Sequence, residues 1–461
     1  MPLLLWTDGF VWLLVAAGTG YALYCRSRPH LAAPWARVFR SPAAMASAVV
    51  LAVYLGVGLL DSLHYRPKLV SADPKAPVAY AVEVRSVLDL ALAHLRGNGE
   101  KSYSPPLATR LYQKEQIERP DGKLVREYPR LRFGGAHLQD ETEQGADVAR
   151  RALFGLAAAT ALWAVVFLAM RGFARRRPDI PWRAAFIALG VLLALAGTAF
   201  GLSTGYHVLG TDKVGQDVFY LSLKSIRTSL VIGTLTTLVL LPLGAAVGIM
   251  AGYFKGWVDD LIQYAYTTLN SIPSVLLIAA SVLMMQLYID THPELFPTTA
   301  ERADLRLLFL CMILGLTSWT GLARLLRGEA LKLGELEYVQ AAHAFGVSHG
   351  RILARHILPN VMHIVIISLV MDFSGLVLAE AVLSYVGVGV DPSTISFGTM
   401  INGARLEMAR EPTVWWALAS AFFFMFVLVL FANLLADAVR DGFDPRTRVG
   451  AVQVPAGRAP A

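Results

Sequence analysis

Cysteine and charge are both scarce in this chain of 461 residues, which holds two cysteines and only 16% Asp, Glu, Lys and Arg. Two cysteines cannot build a disulfide framework or a cysteine-rich zinc module. Cys311 lies inside an apolar run and Cys25 ends another, so both read as inert. Soluble domains carry about a quarter charged residues. With 55% hydrophobic residues and a mean hydropathy of +0.51, the soluble class is excluded. No Gly-x-x-x-x-Gly-Lys-Ser/Thr occurs, so the sequence offers no P-loop for ATP phosphates. No His-Glu-x-x-His occurs either, and His292, His343, His349, His356 and His363 form no ligand set, so no metal is expected. Gly201-Leu202-Ser203-Thr204-Gly205 has the spacing of a nucleophile elbow. That device needs a strand before the serine, and here an apolar run of spanning length precedes it.

What the chain does have is long apolar runs, nine of them near the ~20 residues that cross a bilayer. They fall at about 3–24, 43–60, 152–170, 184–202, 229–250, 261–287, 306–325, 361–386 and 414–436. The fold class is an all-α polytopic membrane protein. The first run lacks a preceding Lys or Arg and contains Asp8, and the bulky Tyr24 before Cys25 does not suit a lipoprotein site, so it reads as a retained span.

The net charge of +7 is explained by topology rather than by nucleic acid. Arg26, Arg28, Arg37 and Arg40 crowd one short loop, and Arg171, Arg175, Arg176, Arg177 and Arg183 another, which places both in the cytoplasm. Residues 288–305 carry four acids against Arg302 and fit the outside. Nine spans satisfy all three, with the N-terminus outside and the 326–358 loop and C-terminus cytoplasmic. The organisation is then N-terminal spans at 1–60, an extracytoplasmic insert at 61–150, an extra span with a basic loop at 151–183, a core at 184–446, and a disordered Pro/Gly/Ala-rich tail at 447–461. Within the insert Leu88, Leu90, Leu92 and Leu95 suggest a helix, and Lys101 to Gln144 reads as loop with short strands.

The most informative segment is 335–360. Tyr338, Ala341, Ala342 and Phe345 fall at i, i+3, i+4 and i+7, one face of a short helix. Glu335 and Glu337 suit its N-terminal end, and Gly346 can close it in the left-handed conformation. Ser348 is placed to cap a second helix by offering its hydroxyl to the amide of Arg351. That helix carries Ile352, Leu353 and Ile357 and is expected to break at Pro359, which opens the next span. The result is a two-helix elbow.

Gln340-Ala341-Ala342, three residues, Gly346, nine residues, then His356-Ile357-Leu358-Pro359 resembles the EAA loop of binding-protein-dependent ABC importer permeases. Gln340 stands where the motif has its acid, so no ionic contact is expected there, and His356 stands in place of isoleucine, as is usual in the dipeptide/oligopeptide/nickel branch. Leu209-Gly210-Thr211-Asp212 with Gly215-Gln216-Asp217-Val218, Gly252 to Asp259, Ser271-Ile272-Pro273-Ser274, Tyr385 to Val390 and Ala438 to Pro445 resemble the same branch. The resemblance covers about 184–446; Trp35 to Leu60 is a candidate for the branch's usual first span, while two further spans and the long insert lie outside it.

The resemblance implies a type I-like permease core in a bacterial inner membrane, importing peptides or similar solutes. Its partners would be a second permease subunit, cytoplasmic ATPase subunits that use the ATP, and an extracytoplasmic solute-binding protein; the chain itself would need no cofactor. ATPase docking falls to Tyr338, Gln340, Ala341, Ala342, Phe345, Gly346, Ile352, Leu358 and Pro359. Asp372 and Glu380, acids within the eighth run, are candidates to line the translocation route. The alternative class is a secondary transporter or channel needing no ATPase. Paired interrupted spans in two related halves would mark it, and the sequence shows none.

Overall fold

A single helix from Val218 to Phe254 forms the axis on which the rest is hung. Its 37 residues rise about 55 Å at 1.5 Å each, so it projects at both ends from a hydrocarbon core of about 30 Å. The apolar run 229–250 covers only part of it, because the first turns carry Lys224 and Arg227. The structure is a computed structural model and describes residues 1–69, 80–118, 124–295 and 298–443. The tail expected at 447–461 and the Asp444-Pro445 end of the last landmark lie outside the described residues.

In chain order the helices are α1 (Trp6–Arg26), α2 (Pro29–Val38), α3 (Pro42–Asp61), α4 (Val87–Ala91), α5 (Ala93–Gly97), α6 (Gln144–Arg176), α7 (Trp182–Ser203), α8 (Val218–Phe254), α9 (Gly256–Ser271), α10 (Ser274–Thr291), α11 (Thr299–Ser318), α12 (Thr320–Gly334), α13 (Glu337–Ala344), α14 (His349–Ile352), α15 (Leu358–Val386), α16 (Phe397–Glu407) and α17 (Trp416–Phe443). Among the described residues eight helical segments are long and apolar enough to span a membrane, and the bent pair α11–α12 makes a ninth.

Two of the nine runs are broken where single spans were expected. The run at 261–287 is divided between α9 and α10 at Ile272 and Pro273. Proline has no amide hydrogen to continue a helix and drives the residue before it out of the helical region, and Ile272 is extended at φ −91°, ψ 131°. The run at 306–325 bends by 40° between α11 and α12.

Helices α12, α11 and α15 pack along α8, and α3 and α17 also contact it. Close approach is built in by glycine: a Cβ on Gly248 would stand 2.5 Å from the Ala323 carbonyl oxygen, and one on Gly252 the same distance from that of Arg327. Small residues at such spacing let membrane helices meet backbone to backbone. α3 belongs to this core, whereas α6 packs chiefly on α7.

The insert between α3 and α6 is fastened to the core rather than tethered. Strand β1 (Pro2–Leu3) pairs antiparallel with β2 (His64–Tyr65), which pairs with β3 (Arg85–Ser86); β4 (Glu115–Glu118) and β5 (Leu124–Glu127) form a hairpin. Polar contacts then tie the insert to α8. Lys224 Nζ lies 2.7 Å from Asp61 and 3.0 Å from Asp89, and the Tyr220 hydroxyl donates to Asp89 at 2.7 Å. Beside them Arg227 donates to Asp8 of α1 at 2.6 Å and to the Ser62 hydroxyl at 3.2 Å, while Asp304 of α11 accepts from the Thr7 amide at 3.0 Å.

The Leu209-to-Val218 landmark is the seat of the insert. Gly210 and Gly215 both take positive φ, and Asp217 caps α8 by accepting from the amides of Phe219 and Tyr220. His207 is buried between Asp217 at 2.7 Å and Glu100 at 3.4 Å. Burial works against the imidazolium, but the hydrogen bonds to Asp217 and Glu100 outweigh it and push His207 up to about 9. Burial likewise opposes ionisation of Glu100, yet the bonds from His207 and the amides of Arg132, Phe133 and Gly134 bring it down to about 2.

Candidate docking site

At the opposite end of α8, α13 stands out as a short helix with two unlike faces. Val339 turns inward and is 3% exposed, packed with Leu326 and Ala330 of α12 and with Ile352, Ile357 and Val361. Tyr338, Ala341 and Phe345 turn outward; Phe345 is 87% exposed. Ala342 lies between, half-buried. The helix ends in a Schellman arrangement, in which the Val347 amide donates to the Ala342 carbonyl at 3.1 Å and the Gly346 amide to that of His343 at 3.0 Å. Gly346 takes φ +73°, a conformation costly for other residues, and the space around it is open.

The second arm differs from expectation in two respects. Ser348 occupies the cap position of α14, but its side chain makes no capping bond; its carbonyl accepts from the Arg351 amide at 3.0 Å. Nor does Pro359 break the helix. A π turn, Leu353–Ile357, joins α14 to α15, and Pro359 sits in the first turn of α15, where its missing amide leaves no bond unmade. The hinge is therefore the turn Phe345–Ser348, and everything beyond it is continuous with a spanning helix.

Two contacts clamp the elbow to the end of α8. The Tyr253 hydroxyl meets His349 Nδ1 at 2.8 Å, and Lys255 pairs with Glu335. The bond to Lys255 holds the Glu335 carboxyl below its ordinary range. Gln340 bends back on the same group, donating to the Glu335 carbonyl at 3.3 Å and to its carboxylate at 3.4 Å. Asn360 Nδ2 bridges the arms, donating to the Tyr338 hydroxyl at 3.1 Å and the His356 carbonyl at 2.6 Å. Tyr253 and Lys255 stand in one of the landmark segments, but their partners lie 80 to 96 residues on, beyond what local spacing can show.

The expected docking residues thus divide. Tyr338, Gln340, Ala341, Phe345, Gly346 and Pro359 are at the surface, with Ala342 and Leu358 half-buried. Ile352 is a correction: fully buried under α13, it has no surface left for a partner and instead braces the hinge.

Glu380 is 1% exposed, and its Oε1 accepts from Ser384 at 2.7 Å and from Ser396 at 3.0 Å, so within this chain it joins α15 to the cap of α16. Its Oε2 is buried without a hydrogen-bond partner among the described residues. Asp372 is half-buried. Ser203 ends α7 and donates to the Phe200 carbonyl at 2.8 Å, with a helix rather than a strand before it.

Spanning helices around a long central rod, ending in an elbow whose apolar face is uncovered, define a multi-pass helical membrane protein. Residues 244–449 match the family described as binding-protein-dependent transport system inner membrane component. The oligopeptide transport system permease protein OppC of Mycobacterium tuberculosis is 32% identical over 301 residues, covering 65% of this chain and 94% of the relative. The glutathione transport system permease protein GsiD of Pectobacterium atrosepticum is 32% identical over 242 residues, covering 52% and 73%. The dipeptide transport system permease protein DppC of Bacillus subtilis is 29% identical over 246 residues, covering 52% and 69%. This chain belongs to that family of inner membrane transport components, and it is a multi-pass membrane subunit of an ATP-driven importer.

Proposed function

We propose that the chain forms half of a translocation pathway for peptides or similar solutes, and that its elbow docks on a separate ATPase subunit in the cytoplasm. A second permease subunit supplies the other half, and an extracytoplasmic binding protein delivers the solute. The relatives' printed substrates, oligopeptides, dipeptides and glutathione, support the solute class. The observation that carries the docking is the uncovered face of Tyr338, Ala341 and Phe345 on a helix whose other face is buried. Burying a phenylalanine contributes roughly 1.5–3 kcal/mol, and a knob beside small residues is the form a groove accepts. The elbow lies on the side of the Arg26–Arg40 and Arg171–Arg183 loops, which favours the cytoplasm for it and for the C-terminus.

The test is co-purification with the ATPase and ATP-dependent uptake of a labelled oligopeptide. Phe345→Asp and Gly346→Trp are expected to abolish both while the protein still inserts and folds. Retention of ATPase and uptake in both variants would refute docking through the elbow.

A further inference from the structure

The α6–α7 hairpin carries a groove of about 740 Å³ that the transport reading does not use. Its floor exists because the two helices meet backbone to backbone. A Cβ on Gly155 would stand 2.2 Å from the Gly197 carbonyl oxygen, and one on Gly201 would stand 2.6 Å from that of Arg151. With no side chains between them, the helices leave a shallow channel walled by Phe154 and Phe200, which are 76% and 57% exposed. The channel runs from Arg150 to Leu162, about 18 Å along α6. One leaflet of hydrocarbon is about 15 Å deep, half of a core of ~30 Å. The groove therefore has the depth of one acyl chain, in the leaflet on the insert's side.

Its mouth is cationic. Arg150 donates to Asp147 at 2.5 Å, and Arg151 donates to Asp147 at 2.8 Å and to the Thr204 hydroxyl at 2.7 Å. Two guanidinium groups thus face one carboxylate, leaving a net positive charge. Asp147 is buried and bonded also to His137 at 2.6 Å. The Arg150 side chain is 78% exposed and keeps free donors above the channel. A guanidinium fork suits a phosphate.

We propose that the α6–α7 groove binds an anionic phospholipid, with an acyl chain along the floor and the phosphate at Arg150 and Arg151. The proposal is independent of the elbow and of what the chain transports.

The full-length protein, with the subunits it retains, would be placed in nanodiscs of equal parts phosphatidylglycerol and phosphatidylcholine, and retained lipid counted by native mass spectrometry. The wild type is expected to retain phosphatidylglycerol preferentially. Arg150→Gln should cut that preference about fivefold. Ala196→Phe, at an exposed floor position, should lower retention of both lipids by filling the channel, whereas Ile187→Phe, on the lipid-facing surface outside it, should change neither. Thermal melting checks that all three fold. Equal retention of the two lipids by the wild type, or an unchanged preference in Arg150→Gln, would overturn the headgroup site. Unchanged retention in Ala196→Phe would overturn the groove. A photocrosslinker at Ala158 that captures a protein subunit instead of phospholipid would also overturn the proposal.

Discussion

The two ends of α8 are finished in opposite ways. At the insert end the two charges of α8 itself are paired and largely buried: Arg227 is 8% exposed against a fully buried Asp8, and Lys224 is held between Asp61 and Asp89. At the elbow end the pairs are at the surface, as with Lys255 and Glu335, and the aromatic Phe345 is left uncovered. Buried charges tolerate no loss of partner, whereas exposed pairs contribute little. One end is built as a fixture, and the other leaves an aromatic face uncovered.

The largest expected effect comes from breaking the fixture. Arg227→Ala leaves Asp8 and Asp304 without their shared cation and should destabilise the protein by about 3–5 kcal/mol, read as a fall in melting temperature in detergent. Next is the axis itself. Gly248→Leu forces side-chain atoms into the Ala323 backbone and should cost about 1–3 kcal/mol by overpacking, seen in the same melt.

Two groups at the seat of the insert make the fixture sensitive to pH. The folded value of His207, about 9, lies above its ordinary 6.5, so its contribution is full below 6.5 and lost as pH rises through 9. Glu100 is lowered to about 2 from 4.5, so its contribution is full above 4.5 and lost as pH falls through 2. Limited proteolysis of the insert should therefore be slowest between about 4.5 and 6.5 and speed up towards pH 9, and His207→Gln should flatten the alkaline rise. The smallest effect on stability belongs to the contact end: Phe345→Asp should shift melting by no more than about 0.5 kcal/mol. A large loss there would mean that Phe345 is packed and that the contrast between the ends is false.

The elbow was legible because its information is local. Tyr338, Ala341 and Phe345 share a face through helical spacing alone, and Gly346 marks the turn through its backbone freedom. The same spacing could not show that Ile352 lies beneath α13, because burial depends on α12 and α8 arriving from elsewhere in the chain. The fixture was illegible for the same reason: Asp8 and Arg227 are 219 residues apart, and Thr7 and Asp304 are 297 apart. Pro273 is plain in the sequence as part of a landmark, but not that it divides the run into two helices of 16 and 18 residues.

The unbroken helix between the two ends has the proportions of a lever arm. Pivoted at Asp217, an arm of about 55 Å moves its far end by about 1 Å for each degree of tilt. A push of a few ångströms at Tyr253 and Lys255 would thus need only a few degrees of swing, small enough for the buried charges at the fulcrum to stay in register.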